Sequence, residues 1–282
     1  MPRRLPIRPG KIFGNVFVVL VSSVMSFIYY VWLRTWLARI ENPWVYGLLG
    51  VFHVLFAMLV WSFIQTMITD PGQVPVFWGF HLGDPEQKRR RYCLMCNIFK
   101  PERCHHCSVC NRCVLNMDHH CPWINNCVGF WNRKYFILLL IYVLSITYFV
   151  TFSLFWDFLQ CVNWQLDVYY YASGPQNNLM LADAIMLEVA FIVNCIIMVL
   201  ITMFLKFHLN LALTNKTTIE NLDHKGEPYI SLYDLGSRNN WEQIFGINPV
   251  LWPFPLLGDS GKPKGDGIQW VTNRGSDSAR GN

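Results

Sequence analysis

Charge is scarce in this chain. Only 15% of its 282 residues are Asp, Glu, Lys or Arg, against 53% hydrophobic and 16% aromatic. Soluble domains carry roughly a quarter charged residues, so a freely soluble one- or two-domain protein is the first class excluded. Internal repeats and low-complexity tracts are missing, and so is any separate recognition module such as ankyrin repeats. Residues 160–179 hold no Lys or Arg, and residues 1–11 hold no acid. The net charge of +5 is spread too thinly to suggest nucleic acid, although it suits a protein lying against anionic lipid.

What is present in quantity is apolar sequence in long runs. Residues 12–33 form one, and its length is that of a bilayer span. It is too long for the apolar core of a signal peptide, and Tyr29, Tyr30 and Trp32 mark its far end as an interfacial belt does. A second span is expected at 44–68, closed by Thr69-Asp70-Pro71-Gly72, where Pro and Gly stop the helix. The third runs over 134–159 and the fourth over 180–205, with a loop at 160–179 between them. His53 lies in mid-span and is expected to be packed and hydrogen-bonded. Glu188 is costly facing lipid and should face other helices or water. Lys and Arg concentrate in the amino tail, in the polar segment after span two and in the carboxyl tail. The positive-inside rule therefore places both termini and that segment in the cytosol.

The polar segment carries the chemistry. Eight of the ten cysteines lie between Tyr92 and Phe136, with His105, His106, His119 and His120. The pairs Cys93/Cys96, Cys107/Cys110 and Cys110/Cys113 each have the C-x-x-C spacing that brings two thiolates to one tetrahedral Zn²⁺. Disulfides would need an oxidising compartment, which the expected topology denies. Two closed structural sites need eight ligands, and the segment offers more. Cys121 follows Asp118, His119 and His120. A thiol beside an imidazole that a carboxylate orients is an activated nucleophile. On residue type alone, one more metal ligand is the favoured reading of Cys121.

A resemblance separates the two. The tetrad Asp118-His119-His120-Cys121 stands among Cys93, Cys96, Lys100-Pro101, Arg103, His106-Cys107, Cys110, Cys113, Pro122-Trp123, Asn126-Cys127, Gly129, Asn132 and Phe136. This pattern resembles the cysteine-rich domain of the DHHC protein S-acyltransferases, the palmitoyltransferases. The resemblance implies one zinc on Cys93, Cys96, His106 and Cys113, and another on Cys107, Cys110, His120 and Cys127. Cys121 is then the nucleophile, His119 its base and Asp118 the group orienting His119. Cys104 departs from the pattern and is expected to be a bystander.

Asp70-Pro71-Gly72 also resembles a family motif, as does Thr217-Thr218-Ile219-Glu220. By itself the latter reads equally well as a helix-capping signal; the resemblance implies contact between Thr218 and Asp118. Residues 239–246 resemble the family's tail element, with Asn240 expected to hydrogen-bond the cysteine-rich domain. An ordinary amphipathic helix is the alternative. Residues 249–257, rich in Pro, Trp and Phe, are expected at the lipid interface, and residues 260–282 to be disordered.

The expected architecture is an α-helical multi-pass membrane protein. Residues 1–72 hold the amino tail and spans one and two, 73–133 the cytosolic zinc domain, 134–210 spans three and four, and 211–282 the cytosolic tail. The resemblance implies transfer of a long-chain acyl group from fatty acyl-CoA to cysteines near the membrane on substrate proteins. The acyl chain would lie among the four helices, gaining about 0.8 kcal/mol per buried CH₂, with Trp123 closing the cavity mouth. Lys100, Arg103 and His105 could meet CoA phosphates or simply solvate a positive surface, and Lys88-Arg89-Arg90-Arg91 reads as a solvated or lipid-facing run. The endoplasmic reticulum, the Golgi and the plasma membrane all suit such a protein. A zinc-stabilised scaffold would share the metals without a nucleophile. A channel or transporter should show repeated halves or several intramembrane charges, and neither is evident.

Overall fold

The computed structural model describes residues 9–79, 91–171, 178–225, 229–258 and 261–273. Four helices are long and apolar enough to cross a membrane: α1 (Pro9–Leu37), α2 (Trp44–Ile68), α3 (Arg133–Tyr171) and α4 (Asn178–Leu213). They include all four expected spans. Helix α3 runs well into the stretch read as a loop, because nothing in residues 160–171 breaks a helix. Polar residues end a hydrophobic run without ending the backbone hydrogen bonding. The Gly-Pro pair at 174–175 lies outside the described residues.

The chain divides into two compact units. One consists of residues 19–60 and 140–205, the bodies of the four helices. Its interior is aromatic. Trp32 is fully buried, stacks on Phe52 at 3.7 Å and donates its indole N–H to Ser153 Oγ at 2.8 Å. Asn194 donates across to the Thr147 carbonyl at 2.9 Å and to Thr151 Oγ1 at 2.8 Å. Such polar bridges compensate for the weak hydrophobic drive between helices in lipid. His53 is hydrogen-bonded, as expected, but it is exposed and not packed in the interior. Its Nδ1 donates to the Leu49 carbonyl at 2.7 Å, leaving Nε2 to accept from the Tyr29 hydroxyl at 3.1 Å. One neutral tautomer satisfies both bonds.

The other unit joins residues 61–139 to the chain's two ends. Three antiparallel hairpins form its centre: β1 (Tyr92–Cys93) with β2 (Ile98–Phe99), β3 (His105–Cys107) with β4 (Arg112–Val114), and β5 (His119–Cys121) with β6 (Asn126–Val128). Their turns use asparagine in the left-handed region, at Asn97, Asn111 and Asn125, where its short polar side chain is tolerated. Helix α5 (Thr218–Asp223) and helix α6 (Ser237–Phe245) follow α4.

Gly129 lies where the hairpins meet the end of α2. A Cβ there would lie 2.7 Å from the Pro71 carbonyl oxygen and 2.9 Å from that of Leu115. Asn132 seals the same corner, donating to the Cys127 carbonyl at 2.8 Å and accepting from the Gly129 N–H at 2.8 Å.

Residues 261–273 depart from the expectation of disorder. Ile268 and Trp270 pack on a buried cluster that includes Val74, Leu115 and Phe130, so 261–273 contribute core surface despite their polar composition. Residues 274–282 and Lys88-Arg89-Arg90 lie outside the described residues.

These contacts make a stability prediction. Gly129→Ala should cost about 1–3 kcal/mol, since fixed backbone atoms cannot yield to the added methyl. Gly47→Ala, with nothing within 4 Å of its Cβ, should be neutral or stabilising in its helix. Thermal midpoints compare the two, and equal midpoints would contradict the packing described.

Candidate active site and metal centres

Strand alternation assigns the histidines and cysteines. Successive side chains on a strand point to opposite faces. In β3–β4, His106 pairs directly with Cys113 while Cys107 follows on the other face. His106 and Cys113 therefore turn toward Cys93 and Cys96, and Cys107 and Cys110 turn the other way. In β5–β6, His120 pairs with Cys127. The result is two groups whose ligand atoms all lie within 4.8 Å of one another: Cys93, Cys96, His106 and Cys113, and Cys107, Cys110, His120 and Cys127.

The donor geometry fits a tetrahedral ion. Cys93 Sγ and Cys96 Sγ lie 3.6 and 3.2 Å from His106 Nδ1. In the second group the separations from His120 Nδ1 are 3.7 Å to Cys107, 3.4 Å to Cys110 and 3.6 Å to Cys127, with Cys127 and Cys110 sulfurs 3.5 Å apart. Ligands about 2.0–2.3 Å from a tetrahedral centre lie roughly 3.4–3.8 Å from each other. Both clusters could hold zinc. Cys104 belongs to neither; it is buried against Cys93 and Cys113 in the apolar cluster.

The same alternation leaves His119 and Cys121 together on the face opposite His120. His119 Nδ1 donates to Asp118 Oδ2 at 2.7 Å. Its Nε2 is buried without a hydrogen-bond partner, and it lies near enough to Cys121 to feel the charge of the sulfur. Burial opposes a charged ring. The bond to Asp118 and the nearby sulfur outweigh burial and push the His119 pKa up to about 9. Asp118 is wholly buried, which favours its neutral form. The Arg133 charge and the bond from His119 overcome this and hold the carboxyl below the usual range.

Asp118 is held from several sides. Its Oδ1 accepts from the Thr218 N–H at 3.0 Å and its Oδ2 from the Thr218 hydroxyl at 2.7 Å, and Arg133 stands 3.5 Å from Oδ1. Thr218 is the first residue of α5, so the carboxylate also sits at a helix N-terminus. The capping alternative is realised as well. Thr217 Oγ1 accepts from the Glu220 N–H at 3.2 Å, and Glu220 accepts from the Thr217 N–H at 2.9 Å.

Other expectations need correction. Arg103 does not face solvent and is not placed to meet CoA phosphates. Its side chain is buried, bonded to Glu220 at 2.7 and 2.9 Å and to the Asn215 side chain at 2.8 Å. The Tyr233 and Trp270 rings lie 4.5 and 4.4 Å from the guanidinium. Asn240 donates to the Leu213 carbonyl at 2.7 Å and to Asp234 at 2.6 Å. It therefore ties the tail to the end of α4, not to the cysteine-rich hairpins. Lys100 and His105 are half-buried neighbours; burial and then the Lys100 charge lower the His105 pKa. Trp123 is 47% exposed and meets Phe17 edge-on at 4.9 Å.

Two residues escaped the sequence reading. Arg133 looked like the end of a polar segment. His208, on α4, lies 3.9 Å from Asp118 Oδ2 and 5.5 Å ring to ring from His119. A histidine near a span's end is itself a signal. Asp118, His119 and His208 are close enough to ligate an ion, although the Arg133 charge beside Asp118 opposes a cation there.

Arg103→Ala removes the partner of buried Glu220 and should destabilise the fold by about 3–5 kcal/mol. Thermal unfolding measures this, and an unchanged midpoint would show the ion pair to be unimportant.

The comparisons agree with this geometry. Residues 86–225 match the family model described as DHHC palmitoyltransferase. The chain is 34% identical to "Probable protein S-acyltransferase 12" of Arabidopsis thaliana, covering 87% of this chain and 88% of that protein. It is 31% identical to "Palmitoyltransferase ZDHHC15A" of Danio rerio over 87% and 81% of the two chains. With "Palmitoyltransferase ZDHHC20" of Homo sapiens the identity is 28%, over 93% and 78%. With four apolar helices around a cysteine-rich segment of this geometry, the chain belongs to the DHHC palmitoyltransferases, multi-pass membrane enzymes that transfer palmitoyl groups to proteins.

Proposed function

We propose that Cys121 carries the acyl group between a fatty acyl-CoA and the cysteine thiols of membrane-associated proteins. The observation that supports this most directly is the shared face of His119 and Cys121 on β5, with His119 held by a buried, multiply bonded Asp118. His119 takes the proton of Cys121 as general base, and its raised pKa suits it to hold that proton while the sulfur attacks. The thiolate attacks the thioester carbonyl of acyl-CoA. The bond from carbonyl carbon to CoA sulfur breaks, and CoA leaves as a thiol with the proton from His119. A substrate cysteine then gives its proton to His119 and attacks the Cys121 thioester. The acyl group moves to the substrate sulfur, and Cys121 returns as a thiolate beside a protonated His119. Asp118 fixes the tautomer and orientation of His119 throughout.

The two Cys/His clusters hold structural zinc ions. Their four protein ligands leave no open position, so the ions order the hairpins and activate no water. The cysteine-rich segment faces the cytosol of an endomembrane, Golgi or endoplasmic reticulum, or of the plasma membrane. The distribution of Lys and Arg along the chain supports that orientation, and a reducing compartment suits eight clustered cysteines. Lys100 is the cation of this group that would meet the CoA phosphates, with His105, whose charge burial and Lys100 disfavour, as a neutral hydrogen-bond donor beside it.

Three measurements test the reading. Cys121→Ser should abolish hydroxylamine-sensitive labelling by acyl-CoA while two zinc ions per chain are retained; loss of zinc in that variant would make Cys121 a ligand. His119→Ala should slow self-acylation about 10²–10⁴-fold, and an unchanged rate would remove His119 from its role. Stripping zinc with a chelator should unfold the hairpins and end labelling at Cys121 together, since metal binding is folding energy in so small a segment. Labelling that survives complete zinc loss would refute the structural role.

A further inference from the structure

Cys121 ends β5, and the chain passes at once into a 3-10 turn, Pro122–Ile124. Asn125 closes that turn. Its backbone is left-handed, with φ 47°, and its N–H donates to the Pro122 carbonyl at 3.1 Å. Asparagine tolerates this conformation without enforcing it. The strands on either side are held by their own ladder, where Cys121 pairs with Asn126 and His120 with Cys127. The ladder stops there. The backbone leaving Cys121 and the side chain of Trp123 therefore depend on what holds Asn125.

The amino end of α1 holds it. Asn125 Nδ2 donates to the Lys11 carbonyl at 3.1 Å and to Asn15 Oδ1 at 2.7 Å. Lys11 Nζ donates back to the Asn125 carbonyl at 2.8 Å. Lys11, Gly14 and Asn15 share one helix face at i, i+3 and i+4. Gly14 allows the close approach, since a Cβ there would overlap the Asn125 amide and lie 3.0 Å from the Asn125 Cβ. Phe17, one turn after Gly14, meets the Trp123 ring edge-on at 4.9 Å. Residues 1–18 and 61–139 belong to the same compact unit. Three bonds, a glycine contact and an aromatic pair thus converge on the loop that follows Cys121.

We propose that the first turns of α1 are a positioning element for acyl transfer. Lys11, Gly14 and Asn15 latch Asn125, and Asn125 holds the turn that sets the Cys121 backbone and Trp123 against the incoming thioester. The proposal rests on the reading of Cys121 as the acyl carrier. Asn125 acts through the turn and is a positioning residue. A displacement of about 1 Å at a reacting centre can cost about 10²-fold in rate, so a loosened turn slows the reaction even where both metal clusters stay intact.

Self-acylation of the full-length, zinc-loaded chain in detergent by palmitoyl-CoA tests this. Gly14→Ala should lower the rate at saturating acyl-CoA about tenfold or more, with KM and zinc content near wild type. Asn125→Gly keeps the left-handed backbone and loses the latch, and should slow the reaction by a similar factor. The double variant should be no slower than Asn125→Gly alone, because the added methyl then has nothing to strike. A wild-type rate in either single variant, or two effects that multiply in the double variant, overturns the proposal. Hydrogen exchange reads the latch without any acyl transfer. The Asn125 amide should exchange about tenfold faster or more in Gly14→Ala and in Asn15→Ala, while the amides of β5 and β6 keep their protection. Unchanged exchange at Asn125, or equal loosening of both strands, overturns the proposal. Asn15→Ala adds no volume and carries both measurements if Gly14→Ala loses zinc. Label found on a residue other than Cys121 in the wild-type chain refutes the carrier reading, and the exchange result still decides the latch.

Discussion

Three consecutive side chains on a strand cannot all face the same way, and the chemistry of this protein depends on that. His119, His120 and Cys121 are adjacent in sequence, yet alternation sends the middle one to a metal cluster and the outer two to the opposite face. A helix would have fanned them about 100° apart and left no such division. The same parity at His106 and Cys107 sends neighbouring residues to different clusters. Interleaved ligand sets follow directly from hairpin register, and so does a cysteine excluded from both. A one-residue slip in β5–β6 would exchange the roles of His119 and His120, so the reactive geometry depends on what locks the register. A metal held by each Cys/His cluster would provide that lock.

A buried carboxylate is the second constraint. Asp118 is 0% exposed, and a charge so placed is tolerable only with compensating donors. None of the tail's contacts with Asp118 is optional in that light. Thr218 contributes two hydrogen bonds, Arg133 a charge and α5 the positive end of its dipole. The tail is anchored in turn through Glu220 and Asn215 to Arg103, inside the cysteine-rich segment. Residues more than a hundred positions apart thus share one electrostatic network, and the orientation of His119 depends on all of them.

The helices and the metal clusters were legible because each rests on a pattern with a fixed period. Long apolar runs report spans, and C-x-x-C reports a knuckle. Composition also pointed correctly to a membrane protein. Arg103 misled because a lone arginine in a polar segment looks solvated; its burial depends on Tyr233, Trp270 and Glu220, all remote in sequence. Asn240 misled for a related reason. A resemblance can mark an asparagine without saying which backbone carbonyl it will meet, and here that carbonyl belongs to Leu213. His208 carries no motif, and only the packing of α4 brings it to Asp118. Residues 261–273 were misjudged on composition, since two apolar side chains in a polar stretch are enough to seat it on a core that lacks cover.

The size of the hairpins gives a physical reason for metal at the two Cys/His clusters. Strands of two and three residues bury too little apolar surface to fold alone, and isolated two-stranded hairpins are marginal even when longer. Apolar residues added to stabilise them would crowd the sulfur that has to react. Metal–thiolate bonds would supply stability through a few atoms and leave the opposite face of β5 free. They also tie the site to redox conditions: an environment that keeps eight ligand thiols and imidazoles ready for metal keeps the sulfur of Cys121 reduced as well. Oxidation would therefore attack the scaffold and the proposed nucleophile together, so the hairpin geometry and the Cys121 thiol would be lost under the same conditions.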